Sequence, residues 1–278
     1  MPELPEVETI KRGLEKHFVG CVISDAEVLS PKILTGDVGN VIGTTVVAVR
    51  RFGKGLVIDL NNGYSMAVHV KMTGQLIFKR VSRVSGVSSV LPKHTHVVFE
   101  LRDGTGEDAY LYYNDIRRFG WIKIVKTEDV GQMPFFKSLG LEPLKDLTQK
   151  KFEDILKLHK TPIKTLLMDQ YKIAGIGNIY ACDALFQAGI YPVRSSLSLS
   201  RQEAQRLFIA IEEILSKSIA IGGASANNYV NALGERGAYQ EHFLVYKKEG
   251  KACRNCNSPI LRIKTAGRST FFCGICQV

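Results

Sequence analysis

Cys253-Arg254-Asn255-Cys256, sixteen further residues, and Cys273-Gly274-Ile275-Cys276 form a near-complete small fold at the end of this chain. Two Cys-x2-Cys turns at this separation match the spacing of a zinc site with four thiolate ligands. Between them, Ile260-Leu261-Arg262-Ile263 and Ser269-Thr270-Phe271-Phe272 read as two short strands joined near Ala266-Gly267. The spacing therefore predicts a zinc-stapled β-hairpin. Four sulfur ligands leave no position open for water, so the ion expected there is one structural Zn2+. The alternative is a pair of disulfides in an exported chain. The start of the sequence lacks a basic segment followed by an apolar one, which argues against export and for a cytoplasmic compartment. Cys21 and Cys182 stand far from the cluster and read as small buried residues.

Working back from the hairpin, residues 222–237 are rich in Gly, Ala, Asn and Ser and read as a flexible loop. Before it, Ser200-Arg201-Gln202-Glu203 is a capping box. It opens a long helix with Leu207, Phe208, Ile211, Ile214, Leu215 and Ile219 on one face. Three more helices are expected: around Phe152, Ile155 and Leu156, around Ile163, Leu166 and Leu167, and over Asn178–Ala188. Residues from about 21 to 126 have a different texture. Val22–Val28, Thr44–Val49, Leu56–Leu60, Ser65–Val70, His96–Leu101, Ala109–Tyr113 and Trp121–Val125 are short apolar or alternating runs. Gly, Asn and Asp turns separate most of them, which predicts a β-sandwich or barrel. Arg80–Val90 reads as a mobile loop. Val7, Ile10, Leu14 and Phe18 mark one amphipathic helix ahead of the strands.

Charge narrows the partners. The chain carries 37 Lys+Arg against 27 Asp+Glu, a formal net charge of +10, with 45% hydrophobic residues. A chain this basic with a well-supplied core is expected to meet a polyanion, with nucleic acid leading. No apolar run approaches the roughly 18 residues a membrane span needs.

Four segments carry candidate chemistry. Met1-Pro2-Glu3 places a proline where loss of the initiator Met exposes a secondary amine beside a carboxylic acid. An α-amino group titrates near ~8, so a useful fraction is neutral and nucleophilic. The alternative is that Pro2 and Pro5 only shape the start of a helix. Gly175-Ile176-Gly177-Asn178 sets two glycines before a helix. They suit anion binding, or simply end the preceding element. Asn114-Asp115-Ile116-Arg117-Arg118-Phe119-Gly120 could clamp phosphate and push a wedge into a base stack, or be a turn with Phe119 in the core. His69-Val70-Lys71-Met72-Thr73-Gly74 is similar, and Met72 taken singly reads as core.

Taken together and in order, these segments resemble the formamidopyrimidine-DNA glycosylase family, the bacterial 8-oxoguanine glycosylases with abasic-site lyase activity. The resemblance rests on the start PELPEVE, Gly53-Lys54, His69-x2-Met72-x-Gly74 and Lys93-His94-x-His96. It continues through Asn114–Gly120, Pro162-Ile163-Lys164, Gly175–Tyr180 and the cysteine hairpin with Gly267-Arg268. It spans nearly the whole chain.

The resemblance implies an α+β protein: a β-sandwich with a leading helix over 1–130, a linker over 131–143, a helix-two-turn-helix domain with a lesion loop over 144–243, and a zinc hairpin over 244–278. It further implies that Pro2 is the nucleophile, Glu3 the acid, Glu6 a supporting carboxylate, Lys54 the group serving β-elimination and Arg268 the one serving δ-elimination. His69, His94, Arg117, Lys160, Lys164 and Asn178 match DNA-contacting positions. Met72, Arg117 and Phe119 match the trio that fills the gap left by an everted base, and the 222–240 loop would cover that base. The implied partner is double-stranded DNA carrying oxidised purines or abasic sites, bound by a monomer.

Three departures bear on fine shape rather than chemistry: Ile116 stands where Pro or Val is commoner, Gly55 where an aromatic is frequent, and Lys71 where Gly or Arg is usual. Two rivals stay open. The sister endonuclease VIII family shares the terminal Pro-Glu and prefers oxidised pyrimidines; a zinc-ribbon DNA-binding protein without activity is the other.

Overall fold

Leu4, Val7, Ile10 and Leu14 recur at helical spacing, and in the computed structural model they form the buried stripe of α1 (Leu4–His17). Glu3 caps this helix by a reciprocal capping box with Glu6. The structure describes residues 1–80 and 91–278. The loop expected over Arg80–Val90 falls, apart from Arg80, outside the described residues.

The chain divides into two compact units, Met1–Lys137 with Gly222–Gly237, and Ser138–Ile221 with Ala238–Val278. In the first, the described residues form nine strands after α1: β1 (Val22–Val28), β2 (Leu34–Thr35), β3 (Val46–Phe52), β4 (Gly55–Leu60), β5 (Tyr64–His69), β6 (Gly74–Arg80), β7 (Thr95–Arg102), β8 (Asp108–Asp115) and β9 (Trp121–Lys126). They make two separate sheets, in the orders β1-β7-β8-β6 and β2-β9-β5-β4-β3, so the sandwich reading holds over the barrel. All pairings are antiparallel except that of β2 with β9. One apolar cluster joins Ile58, Met66 and Val68 of the larger sheet, Leu76, Val97, Phe99 and Leu111 of the smaller one, and Val7, Ile10 and Leu14 of α1. Each such side chain contributes about 1.5–3 kcal/mol on burial, and the cluster thereby fixes α1 against both sheets. β6 has no counterpart among the expected strands, although buried Leu76 and Phe78 alternate with half-buried Gln75 and Ile77.

A short helix, α2 (Pro134–Lys137), follows β9 within the span expected to be linker. Phe136 meets Phe52 edge-on at 5.6 Å between ring centres, and Phe135 meets His69 at 4.8 Å.

The segment 222–237 is a loop, as its composition suggests, but one anchored to the first unit. Phe78 N–H donates to the Ala232 carbonyl at 2.7 Å, and the Gln75 amide donates to that of Asn228 at 2.6 Å. Tyr229 and Ala232 enter the sandwich core. Ser225 ties the loop internally, donating to the Tyr229 carbonyl and accepting from Gly237 N–H. Small residues let the backbone lie this close, so composition alone hides the anchoring.

The second unit contains α3 (Gln149–Lys157), α4 (Ile163–Leu167), α5 (Asn178–Ala188), α6 (Arg201–Ala220) and a hairpin of β10 (Ile260–Thr265) and β11 (Arg268–Cys273). The expected capping box forms: Ser200 accepts from Glu203 N–H at 3.2 Å, and Glu203 accepts from Ser200 N–H at 2.8 Å. Asp183 on α5 is fully buried and accepts from the N–H groups of Leu244, Val245 and Tyr246 at 3.0–3.1 Å. It thereby anchors the chain that leads into the hairpin. No helix among the described residues is long and apolar enough to cross a membrane.

Candidate active site and nucleic-acid interface

Pro2, Glu3 and Glu6 are all buried at the head of α1. Glu6 has two tasks there. One carboxylate oxygen accepts from Glu3 N–H at 2.8 Å, and the other accepts from Ala224 N–H at 2.7 Å. A single side chain thus joins the terminal segment to the 222–237 loop.

Lys54 lies in the two-residue turn between β3 and β4, whose ends pair as Phe52 and Gly55. Gly53 takes the first central position with φ +55°, where L side chains are strained. Lys54 is 5% exposed. Gly55, one of the departures from the family pattern, faces the rings of Phe135 and Phe136; a Cβ there would meet them at 2.6 and 2.9 Å.

The Asn114–Gly120 and His69–Gly74 segments come together. Asp115, fully buried at the end of β8, accepts from Thr73 Oγ1 at 2.5 Å, Arg117 N–H at 3.2 Å and Gly120 N–H at 2.8 Å. Gly120 admits no side chain, since a Cβ there would collide with the Tyr113 hydroxyl and the His69 carbonyl. This clamp turns Phe119 outward at 54% exposure, beside Met72 at 43%. The Arg117 guanidinium lies over the Phe119 ring at 4.6 Å, with Nη1 3.0 Å from the Met72 sulfur. Neither apolar residue of the trio is core. His94 and Lys160 are exposed.

Two side chains expected on DNA, His69 and Lys164, are buried in this structure. His69 is 3% exposed, packed against Trp121 and Phe135, with Nδ1 accepting from Lys71 N–H at 2.9 Å. Lys164 is 1% exposed, and its ammonium donates to the Ser269 carbonyl at 3.1 Å and the Thr270 hydroxyl at 2.7 Å. Asn178 Nδ2 donates to the same Ser269 carbonyl at 3.0 Å. In this conformation Lys164 and Asn178 brace β11 immediately after Arg268, which is exposed at the hairpin tip.

His69 has a pH signature. Burial, with the nearby Lys71 and Lys54 charges adding repulsion, lowers its pKa from 6.5 to about 3. Between those values the unfolded chain binds a proton that the native imidazole refuses. Stability therefore falls as pH drops through that window, by up to about 1.4 kcal/mol per pH unit. His69→Gln should flatten this acid slope in urea unfolding followed by the fluorescence of Trp121, the chain's one tryptophan. Equal slopes in both proteins would refute the assignment.

The four cysteine sulfurs of the hairpin lie within 4.8 Å of one another. Cys253 and Cys276 are 3.8 Å apart, Cys256 and Cys273 3.4 Å. Those separations are far beyond an S–S bond of about 2.05 Å, and they approach the roughly 3.8 Å edge of a tetrahedron with 2.3 Å metal–sulfur bonds. Backbone N–H groups of Asn255 and Cys276 point at Cys253 and Cys273 sulfurs. The cluster fits a metal ion.

Comparison with known proteins gives this geometry a family. Residues 1–122 match the profile of the formamidopyrimidine-DNA glycosylase N-terminal domain, and residues 139–230 that of the formamidopyrimidine-DNA glycosylase H2TH domain. The formamidopyrimidine-DNA glycosylase of Rickettsia africae is 40% identical over 100% of this chain and 99% of its own length. The chain belongs to the formamidopyrimidine-DNA glycosylase family. The Gluconobacter oxydans member is likewise 40% identical, over the full length of both. Among solved structures, a Lactococcus lactis Fpg mutant in complex with Fapy-dG-containing DNA superposes with a TM-score of 0.89 at 34% identity, covering 99% of each chain. The Thermus thermophilus MutM (Fpg) protein superposes at 0.87 and 34% identity, over 99% of this chain and 98% of that one.

Within this glycosylase family chain, Pro2 through Phe119 fall in the matched N-terminal domain, and Lys160, Lys164 and Asn178 in the matched helical domain. Arg268 and the cysteines lie beyond both matched segments. Sequence reading overlooked Asp115 as the organiser of the Phe119 turn and assigned no role to Glu8, Arg51 or Phe135. Asp115 had a local signal, a carboxylate among turn residues. The others depend on neighbours distant in sequence and had none.

Proposed function

We propose that this chain is a bifunctional DNA glycosylase and abasic-site lyase of base excision repair, removing oxidised purines from duplex DNA. The observation that carries the reading is the buried Pro2-Glu3 pair at the head of α1, with Glu6 locking the segment to the 222–237 loop. Such a pair supplies a secondary amine and a proton donor as covalent neighbours.

A damaged base cannot be reached inside a duplex, so its nucleotide must be swung out at a cost of a few kcal/mol. Phe119, Met72 and Arg117, presented together and outward, suit the gap this leaves. Arg117, His94, Lys160 and Arg268 are exposed bases suited to phosphate, while Lys164 and Asn178 act by bracing β11. The freed Pro2 nitrogen attacks C1′ as the glycosidic bond breaks, and Glu3 assists by proton transfer. Glu3 then protonates the sugar ring oxygen, the C1′–O4′ bond opens, and the resulting iminium acidifies the C2′ hydrogen. Its removal, which Lys54 serves, expels the 3′ phosphate, and a second elimination served by Arg268 expels the 5′ phosphate. The cysteine cluster holds one Zn2+ with a structural role. The expected setting is the cytoplasm of a bacterium, as a monomer on DNA.

Structures of the Lactococcus lactis relative are described with Fapy-dG-containing DNA, abasic-site DNA and oxidised-pyrimidine DNA. The last favours testing a second reading, preference for oxidised pyrimidines. Borohydride trapping and single-turnover cleavage on duplexes carrying 8-oxoguanine opposite cytosine, or thymine glycol, decide between them. Faster excision of 8-oxoguanine supports the proposal, and faster excision of thymine glycol overturns the purine assignment. A protein that yields no trapped adduct on either duplex is not this kind of enzyme.

A further inference from the structure

Arg51 bonds to two parts of the first unit that the proposed chemistry needs in register. Its Nε donates to Glu8 Oε2 at 2.8 Å, and its Nη1 donates to the Gly53 carbonyl at 3.0 Å. Glu8 lies on α1, the helix headed by Pro2 and Glu3, and Gly53 immediately precedes Lys54. The pair is mostly buried, with Arg51 and Glu8 side chains 11% and 14% exposed. The other Glu8 oxygen accepts from Arg12 Nε at 2.9 Å. Burial pushes the Glu8 pKa up, but the bonds from Arg51 and Arg12 outweigh it and hold the carboxyl below its ordinary value.

A buried ion pair is weak evidence for stability, since apolar replacements often serve as well; fixing a register is its better-attested use. Here the apolar stripe of α1 holds the helix to the sheets without direction. The Gly53-Lys54 turn is carried by β3 and β4, which pack on α1 through apolar side chains. A guanidinium that bonds to both Glu8 and the Gly53 carbonyl adds a directional tie to that packing.

We propose that Arg51, held by Glu8, is a positioning residue for Lys54, setting the turn that carries its ammonium relative to the Pro2 amine. The inference rests on the proposed reading that Pro2 and Lys54 act on the same sugar. Displacing a reacting group by about 1 Å can cost on the order of a hundredfold in rate. Arg51→Lys keeps the charge and loses the fork, and Glu8→Gln keeps volume and loses the charge.

The test is single-turnover strand cleavage at a preformed abasic site by wild type, R51K, E8Q, K54A and the R51K/K54A double variant, with affinity for undamaged duplex measured alongside. R51K and E8Q are expected to cleave about tenfold or more slowly, with duplex affinity within twofold of wild type, roughly. The double variant should be no slower than K54A alone, because a residue acting through Lys54 has nothing to position once Lys54 is gone. A merely structural Arg51 would multiply the two losses instead, and that result overturns the inference, as does R51K at wild-type rate. Should R51K fail to fold, E8Q with E8Q/K54A carries the same comparison. Wild type that forms no borohydride adduct overturns the proposed function itself, whereas a trappable wild type with a fast R51K overturns only this inference.

Discussion

A single residue left ahead of Pro2 should abolish base excision, strand cleavage and borohydride cross-linking together, while duplex binding persists. The reason is electronic. An amide nitrogen has no basic lone pair and cannot attack C1′, whereas the free pyrrolidine nitrogen can. Loss of a nucleophile with no substitute is expected to cost at least about a thousandfold in rate. Pro2 is buried, while Met1 in front of it is 45% exposed, within reach of a processing enzyme. Pro2→Gly separates position from ring chemistry, since it keeps a terminal amine and should retain some trapping. Glu3→Gln should stop excision yet leave lesion binding nearly intact, because it removes the proton donor and keeps the shape. Gel analysis of borohydride-treated complexes, with mass spectrometry to verify the terminus, checks all three. An unprocessed protein that still cross-links would exclude Pro2 as nucleophile.

Stripping the metal from the cysteine cluster should unfold the hairpin and remove most DNA affinity. Structural zinc contributes about 10–16 kcal/mol in small zinc-dependent folds, comparable to the whole stability of an ordinary domain. Cys253 and Cys273 share a small apolar cluster with Cys182, Phe186, Val245, Ile260 and Phe271, too few groups to order the hairpin without the ion. Unfolding also strips Lys164 and Asn178 of Ser269 and Thr270, and leaves Arg268 without a platform. Equilibrium binding to an abasic-site duplex before and after chelation, with metal content measured, should show at least about a hundredfold loss, restored by added Zn2+. A verified metal-free protein that binds and cleaves normally would overturn this role.

How much of the molecule could be read in advance depended on distance along the chain. Helix α5 was legible to the residue, because Gly177 before it and Gly189 after it punctuate the segment locally. The capping box of α6 was equally local. Strand β6 escaped although its alternation is regular, since Gly74 and the charged end at Lys79-Arg80 leave only a short apolar run. The outward Phe119 could not be decided from the sequence. Its exposure depends on Asp115 reaching across to Thr73 and on Tyr113 filling the space behind Gly120.

By itself the sequence determined which reactive groups are covalent neighbours: the Pro2-Glu3 pair, the two Cys-x2-Cys turns, Lys54 behind a turn glycine. Covalent adjacency and turn chemistry need no fold to be recognised. Only the tertiary structure decided which charged residues face solvent and which brace the frame. Lys164 reads like any basic residue until Thr270, 106 positions later, receives its ammonium. Arg51 has no local signal of a role; only the fold brings Glu8, 43 positions earlier, to accept from its Nε. A cation's task is set by the partner that replaces its water, and such partners meet only when burial of the apolar core brings distant segments together.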